Sequence, residues 1–120
     1  MNQIARPMPR PTAQVLPYVE VLGADLAVTF LLQFGGAGIT FSADPKGGGA
    51  VELLVGYDRA KALAAHSRLG LYHRVPLAKR WLAAMLQWQG QSIAGIARTL
   101  RTSDVSVSRW LADSKQGRLT

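Results

Sequence analysis

The chain contains no cysteine. Disulfides, thiolate zinc sites and cysteine nucleophiles are therefore excluded, and a cytoplasmic setting is expected. Histidine is scarce: His66 and His73 are the only two, with no carboxylate pair nearby in sequence to complete a metal site. No apolar run approaches the roughly 18 residues of a transmembrane helix, and no membrane association is expected. The first residues lack the apolar core of an export signal. The glycine run ending at Gly49 lacks the Gly-Lys-Ser/Thr ending of a phosphate loop, and no nucleophile stands at a working distance from a base. The expectation is a protein that is not an enzyme and has no cofactor and no metal. Acidic residues are few, seven against fourteen Lys and Arg, for a formal net charge of +7.

What the chain does have is 48% apolar residues over 120 positions, enough for one domain or two very small ones. Its most informative stretch is residues 91–110, which reads as two short helices joined by a tight turn. Ile93, Ile96, Ala97 and Leu100 fall on one face at helical spacing. Val105, Val107, Trp110 and Leu111 supply apolar positions to the second helix. Ala97 is small where two crossing helices come closest. Arg101-Thr102-Ser103 is the short polar connection such a motif needs. No glycine stands there, so a non-glycine residue is expected to take a positive φ at some cost. Ser103 is placed to cap the second helix, and Ser92 the first. Asp104, Ser106, Ser108 and Arg109 are left facing outward, short polar side chains and one arginine that suit a major groove.

Charge agrees with this reading. Residues 59–120 hold eleven basic residues against two acids, a net of +9. Residues 15–58 hold one lysine against five acids, a net of −4. A basic block that coincides with a helix-turn-helix pattern is the electrostatic footprint of a protein that meets a phosphate backbone.

The middle of the chain reads as duplicated, with one copy in 18–46 and the other in 51–79. Each copy opens on an apolar-acidic run, V-E-V-L or V-E-L-L, followed by glycine, one variable residue and aspartate (Gly23-Ala24-Asp25 and Gly56-Tyr57-Asp58). A helical stretch follows in both, then a short strand, then a proline (Pro45 and Pro76). The helix of the first copy, at roughly 24–34, offers Leu26, Phe30 and Leu31. That of the second, at roughly 51–68, offers Leu54, Ala62, Leu63 and Ala65. Strands at 37–42 and 70–74 would satisfy each other's edges as an antiparallel ribbon, from two repeats or from two chains. Gly38, Ile39, Thr40, Phe41, Leu71 and Tyr72 are the pairing candidates. The two copies are separated by a flexible loop at 43–49.

Pro76 reads as the first-turn residue of a further helix that runs to about Gln89 and stops at Gly90. Its apolar stripe is Leu77, Trp81, Met85 and Trp88. The expected architecture is mainly α with short β-strands. A flexible basic arm (1–14, with Arg6 and Arg10) precedes a helix–strand dimerisation or pairing region (15–75). A three-helix helix-turn-helix unit (76–113) and a polar tail (114–120) complete the chain.

The run from Leu16 to Ala27, L-P-Y-V-E-V-L-G-A-D-L-A, is followed by F-G-G-A-G-I-T-F (Phe34–Phe41) and then by the helix-turn-helix pattern. In this combination, over about residues 16–112, the chain resembles the Mor family of phage and prophage transcription activators. The resemblance implies a helix–strand dimerisation region, a homodimer, a recognition helix in the major groove, and activation through RNA polymerase. One feature departs from the family pattern: residues 51–75 intervene between the strand and the DNA-binding helices. Either one chain carries a fused repeat that imitates the dimer core, with a single recognition helix, or 51–75 is a longer connection within an ordinary two-fold dimer.

The expected function is sequence-specific binding of double-stranded DNA by a cytoplasmic, nucleoid-associated transcription regulator. Ser103, Val105, Ser106 and Arg109 are candidates for base contact. Lys79, Arg80, Ser92, Arg98 and Arg101 are candidates for phosphate contact, with Lys115 and Arg118 in the tail as further ones. The alternatives are a protein-interaction module, or a DNA-binding adaptor for a recombination or packaging enzyme.

Overall fold

The computed structural model describes residues 7–42, 44, 49–70 and 72–115. The chain divides into two compact units. One is Ala13–Leu77, and the other joins Met1–Thr12 to Ala78–Thr120.

The first unit contains α1 (Leu16–Leu22), α2 (Ala24–Phe34), β1 (Gly38–Thr40), α3 (Ala50–Val55), α4 (Tyr57–Ala65) and β2 (Tyr72–Arg74). It is the same supersecondary unit twice over: helix, glycine, helix, strand. The two glycine corners have nearly one conformation, φ 82° and ψ 161° at Gly23, φ 90° and ψ 166° at Gly56. That positive φ is open to glycine and strained for other residues, which is why both corners carry it. Buried positions repeat as well. Leu22, Ala27, Phe30 and Leu31 are buried, and so are Val55, Ala60, Leu63 and Ala64, each 33 positions later.

β1 and β2 pair antiparallel, with Gly38 opposite Arg74, Ile39 opposite His73 and Thr40 opposite Tyr72. Matching the strands by their place in the repeat makes Ile39 equivalent to His73, and these two residues face each other. The ribbon is therefore built around a pseudo-two-fold axis that passes through that pair. The helices obey the same symmetry, since α1 contacts α4 and α2 contacts α3. Beyond the strands, the Gly36 N–H donates to the Val75 carbonyl and the Val75 N–H to the Ala37 carbonyl, both at 2.8 Å. Gly35 lets the chain pass close to Pro76, because a Cβ there would lie 2.7 Å from the Leu31 carbonyl oxygen and 3.3 Å from that of Pro76.

Several expectations are corrected here. The helix read over 51–68 is two helices, since the chain turns at Gly56, and Ala62 and Ala65 are exposed. The apolar-acidic runs are themselves helical, as α1 and α3. Phe41 lies just past β1 and is buried, 3% exposed, so it anchors the ribbon to the core. Leu71 and most of the 43–49 loop lie outside the described residues.

The second unit contains α5 (Lys79–Trp88), α6 (Ile93–Leu100) and α7 (Asp104–Lys115), each in contact with the other two. α5 starts three residues after Pro76, because Ala78, at φ 52° and ψ 35°, is left-handed and breaks the helical path from the proline. The expected α5 stripe is correspondingly trimmed. Trp81 and Met85 are buried, whereas Leu77 is 55% exposed and Trp88 36%. Residues 7–12, read from sequence as part of a free arm, belong to this unit: the Trp81 indole N–H donates to the Pro9 carbonyl at 3.3 Å. Arg6 and the tail from residue 116, Arg118 included, lie outside the described residues, as does the side chain of Lys115. No helix among the described residues is long and apolar enough to cross a membrane.

Candidate nucleic-acid interface

α5 is the central helix of the second unit. Trp81, Leu82, Ala83, Ala84, Met85 and Leu86 are all buried in succession. It ends where the Gln91 N–H reaches back to the Leu86 carbonyl at 2.9 Å, with Gly90 at φ 103°. α6 then starts on a capped end: the Gly95 N–H donates to Ser92 Oγ at 3.1 Å.

The α6–α7 turn closes on two hydrogen bonds. The Thr102 N–H donates to the Ala97 carbonyl at 3.0 Å, and the Ser106 N–H donates to Ser103 Oγ at 3.1 Å. Arg101 takes the left-handed conformation, φ 57° and ψ 51°, that the glycine-free turn demands. Inside, Ile96, Ala97, Leu100, Val107 and Leu111 are buried. Ile93 was read into the same face but is 38% exposed, because it begins α6 one turn before the packed positions.

The outer face of α7 is formed by Val105, Ser108, Arg109 and Ala112, all exposed and spaced at helical intervals. Val105 is 70% exposed, so it is no core residue, and it presents an isopropyl group to solvent beside the Arg109 side chain one turn on. Ser103 and Ser106 also serve the helix end. Their hydroxyls bond each other at 3.2 Å while Ser103 Oγ accepts from the Ser106 N–H and caps the helix. Ala112 was missed from sequence, although its place seven residues after Val105 marks it as part of this face.

The basic side chains divide into two groups. Arg98 on α6 and Arg101 in the turn are exposed. Lys79 and Arg80 at the start of α5 are half-buried, and Arg80 Nη1 lies 3.5 Å from Asp113 Oδ2, which ties α5 to α7. Arg80 is thus partly neutralised, and Arg98, Arg101 and Arg109 remain as the open cations nearest the turn. By sequence this unit holds nine basic residues against two acids, a net of +7, while Ala13–Leu77 holds five of each. All of the chain's excess charge therefore sits in the unit that contains α6 and α7.

No group of three or more His, Asp or Glu able to hold a metal exists among the described residues. His66 Nε2 lies 2.9 Å from Glu20 Oε1, its one carboxylate partner among the described residues, which links the end of α4 to α1.

Comparison with protein-family models, with curated proteins and with solved structures finds no match to this chain.

Proposed function

We propose that this protein binds double-stranded DNA sequence-specifically through α7 and regulates transcription. The reading rests above all on the outward face of α7. A largely exposed valine and an open arginine stand one turn apart on a helix that follows a three-residue turn, in the unit that carries the whole net charge of +7. A valine so placed suits a thymine methyl, and arginine suits the two acceptors of guanine. Arg98 and Arg101 are assigned to phosphate, with the capped start of α6 at Ser92. Activation, contact with RNA polymerase, and a location on the bacterial nucleoid rest on the resemblance to the Mor family. Strand pairing inside one chain favours a fused pseudo-dimer core with a single recognition helix over a two-chain ribbon.

The test is binding of the purified protein to its own upstream DNA and to random DNA of equal length, over a salt series, with the mass of the complex measured. Preference that survives rising salt, with one chain per site, is the expected result. Equal affinity for both DNAs that collapses with salt would overturn sequence-specific readout. Two chains per site would overturn the single-chain assignment. Arg109→Ala should cost roughly 1–3 kcal/mol at one base pair and leave the circular dichroism spectrum unchanged.

A second reading, a protein-interaction module, is favoured by Leu53 on α3, 76% exposed, and Tyr57 at the start of α4, 43% exposed. Capture of a partner by a protein that has no affinity for any DNA would establish it instead.

A further inference from the structure

We infer that the unit Ala13–Leu77 carries a binding site for a small amphiphilic anion, a carboxylate or phosphate monoester attached to a short apolar group. The site is a groove of about 790 Å³ beside β2. This size falls within the range of small-molecule clefts, about 300–1,000 Å³. Its polar side is the guanidinium groups of Arg68 and Arg74 with the His73 imidazole, its apolar side is Pro17, Leu69 and Val75, and Gln14 adds an amide at the rim. No carboxylate is among its described lining residues, so none of these gives the arginines a counter-charge within the cleft. Arg74 is held in place, since its Nη1 donates to the Gly36 carbonyl at 2.8 Å, which leaves the other guanidinium N–H groups for a ligand.

The internal duplication supplies a control within the same molecule. The corresponding place beside β1 is also a groove, of about 550 Å³. There the positions of His73, Arg74 and Val75 are occupied by Ile39, Thr40 and Phe41, the described lining includes Asp44 and Glu52, and it includes no cation. One backbone arrangement thus carries two different rims, Ile-Thr on one strand and His-Arg on the other. The core positions keep their apolar character in both halves, so packing explains them. Packing does not call for replacing Ile-Thr by His-Arg on the rim of only one groove, whereas recognition of an anion does. Buried apolar side chains under the arginines distinguish the groove from a phosphate-backbone contact, which needs no apolar floor.

The inference is independent of the DNA reading and is tested directly on the full chain, with hexyl phosphate as probe and hexanol and inorganic phosphate as controls. Binding is followed by amide and methyl NMR shifts. Hexyl phosphate should saturate a single site, shifting Gln14, Leu69, His73 and Val75, and should bind about tenfold or more tighter than either control, since each lacks one half of the recognition. Arg68→Ala and Arg74→Ala should each weaken binding by about tenfold, with the remaining amide spectrum unchanged, and Arg74→Lys should recover part of the loss. Equal binding of hexanol and hexyl phosphate, or indifference to both arginine variants, would overturn the proposal. So would shifts confined to residues 78–115. If a short random DNA duplex shifts the groove residues and hexyl phosphate does not, the groove belongs to nucleic-acid backbone and the small-anion site is refuted.

Discussion

Tyr18 is fully buried, stacks on Phe30 with ring centroids 5.4 Å apart, and its hydroxyl has no hydrogen-bond partner among the described residues. A buried, unsatisfied hydroxyl costs about 1–3 kcal/mol. Tyr18→Phe should therefore stabilise the protein by about 1 kcal/mol in urea unfolding. Burial also pushes the Tyr18 phenol well above its ordinary pKa of 10.0. The folded state then keeps a proton that the unfolded chain releases, so this contribution to stability is intact below pH 10 and is lost as pH rises above it. The advantage of Tyr18→Phe over wild type should be constant below that pH and grow above it. Arg101 gives a second prediction at this scale. Its left-handed backbone costs about 1–2 kcal/mol, and glycine avoids that at a smaller entropic cost. Arg101→Gly should gain about 0.5–1 kcal/mol in stability and lower the slope of DNA affinity against salt by about one unit. One substitution would thereby separate what the arginine costs the fold from what it gives to binding.

The helices that were legible in the sequence are those whose ends are written in side chains. Ser92 and Ser103 cap α6 and α7, as their positions before an apolar run indicate. Ser103→Ala should cost about 1 kcal/mol, seen as loosened amide exchange over the first turn of α7. If it lost base discrimination with no loss of stability, its hydroxyl would be a reader of bases and not a cap. Less legible were the ends set by backbone geometry. Nothing in the residue type of Ala78 marks it as left-handed, so the sequence pattern places the start of α5 at Pro76 and the structure places it at Lys79. Gly56 inside a helical pattern was read through, although its twin Gly23 stands at the same corner. The groove beside β2 was invisible for a related reason. Arg68 and Arg74 read as scattered surface charge until the fold placed them on one side of a cleft with Leu69 and Val75 behind them.

At the scale of the whole chain, duplication was legible from the spacing of Gly-x-Asp and of the two short strands. Its pairing partner was not, because one chain or two would satisfy the same ribbon edges. The structure pairs β1 with β2 of the same chain, with the symmetric pair Ile39 and His73 at the centre. The two halves also differ in charge: residues 13–49 hold one lysine against three acids, and residues 50–77 hold four basic residues against two acids. Charge is partitioned again between the units, with the excess all on the side of α6 and α7.

Because each half of the ribbon is the natural partner of the other, the connection between Thr40 and Ala50 decides whose half is used. Nine residues separate the two, and pairing within one chain requires the second half to fold back onto the first. Deleting Lys46–Gly48 should make that return too short and drive exchange, in which α1, α2 and β1 of one molecule close on α3, α4 and β2 of another. The variant should then elute at twice the wild-type mass, with strand contacts and an amide fingerprint that match those of the wild-type protein, as light scattering and NMR would record. In that outcome the number of residues between the two halves would set whether this pseudo-symmetric core is a property of one polypeptide or a bond between two.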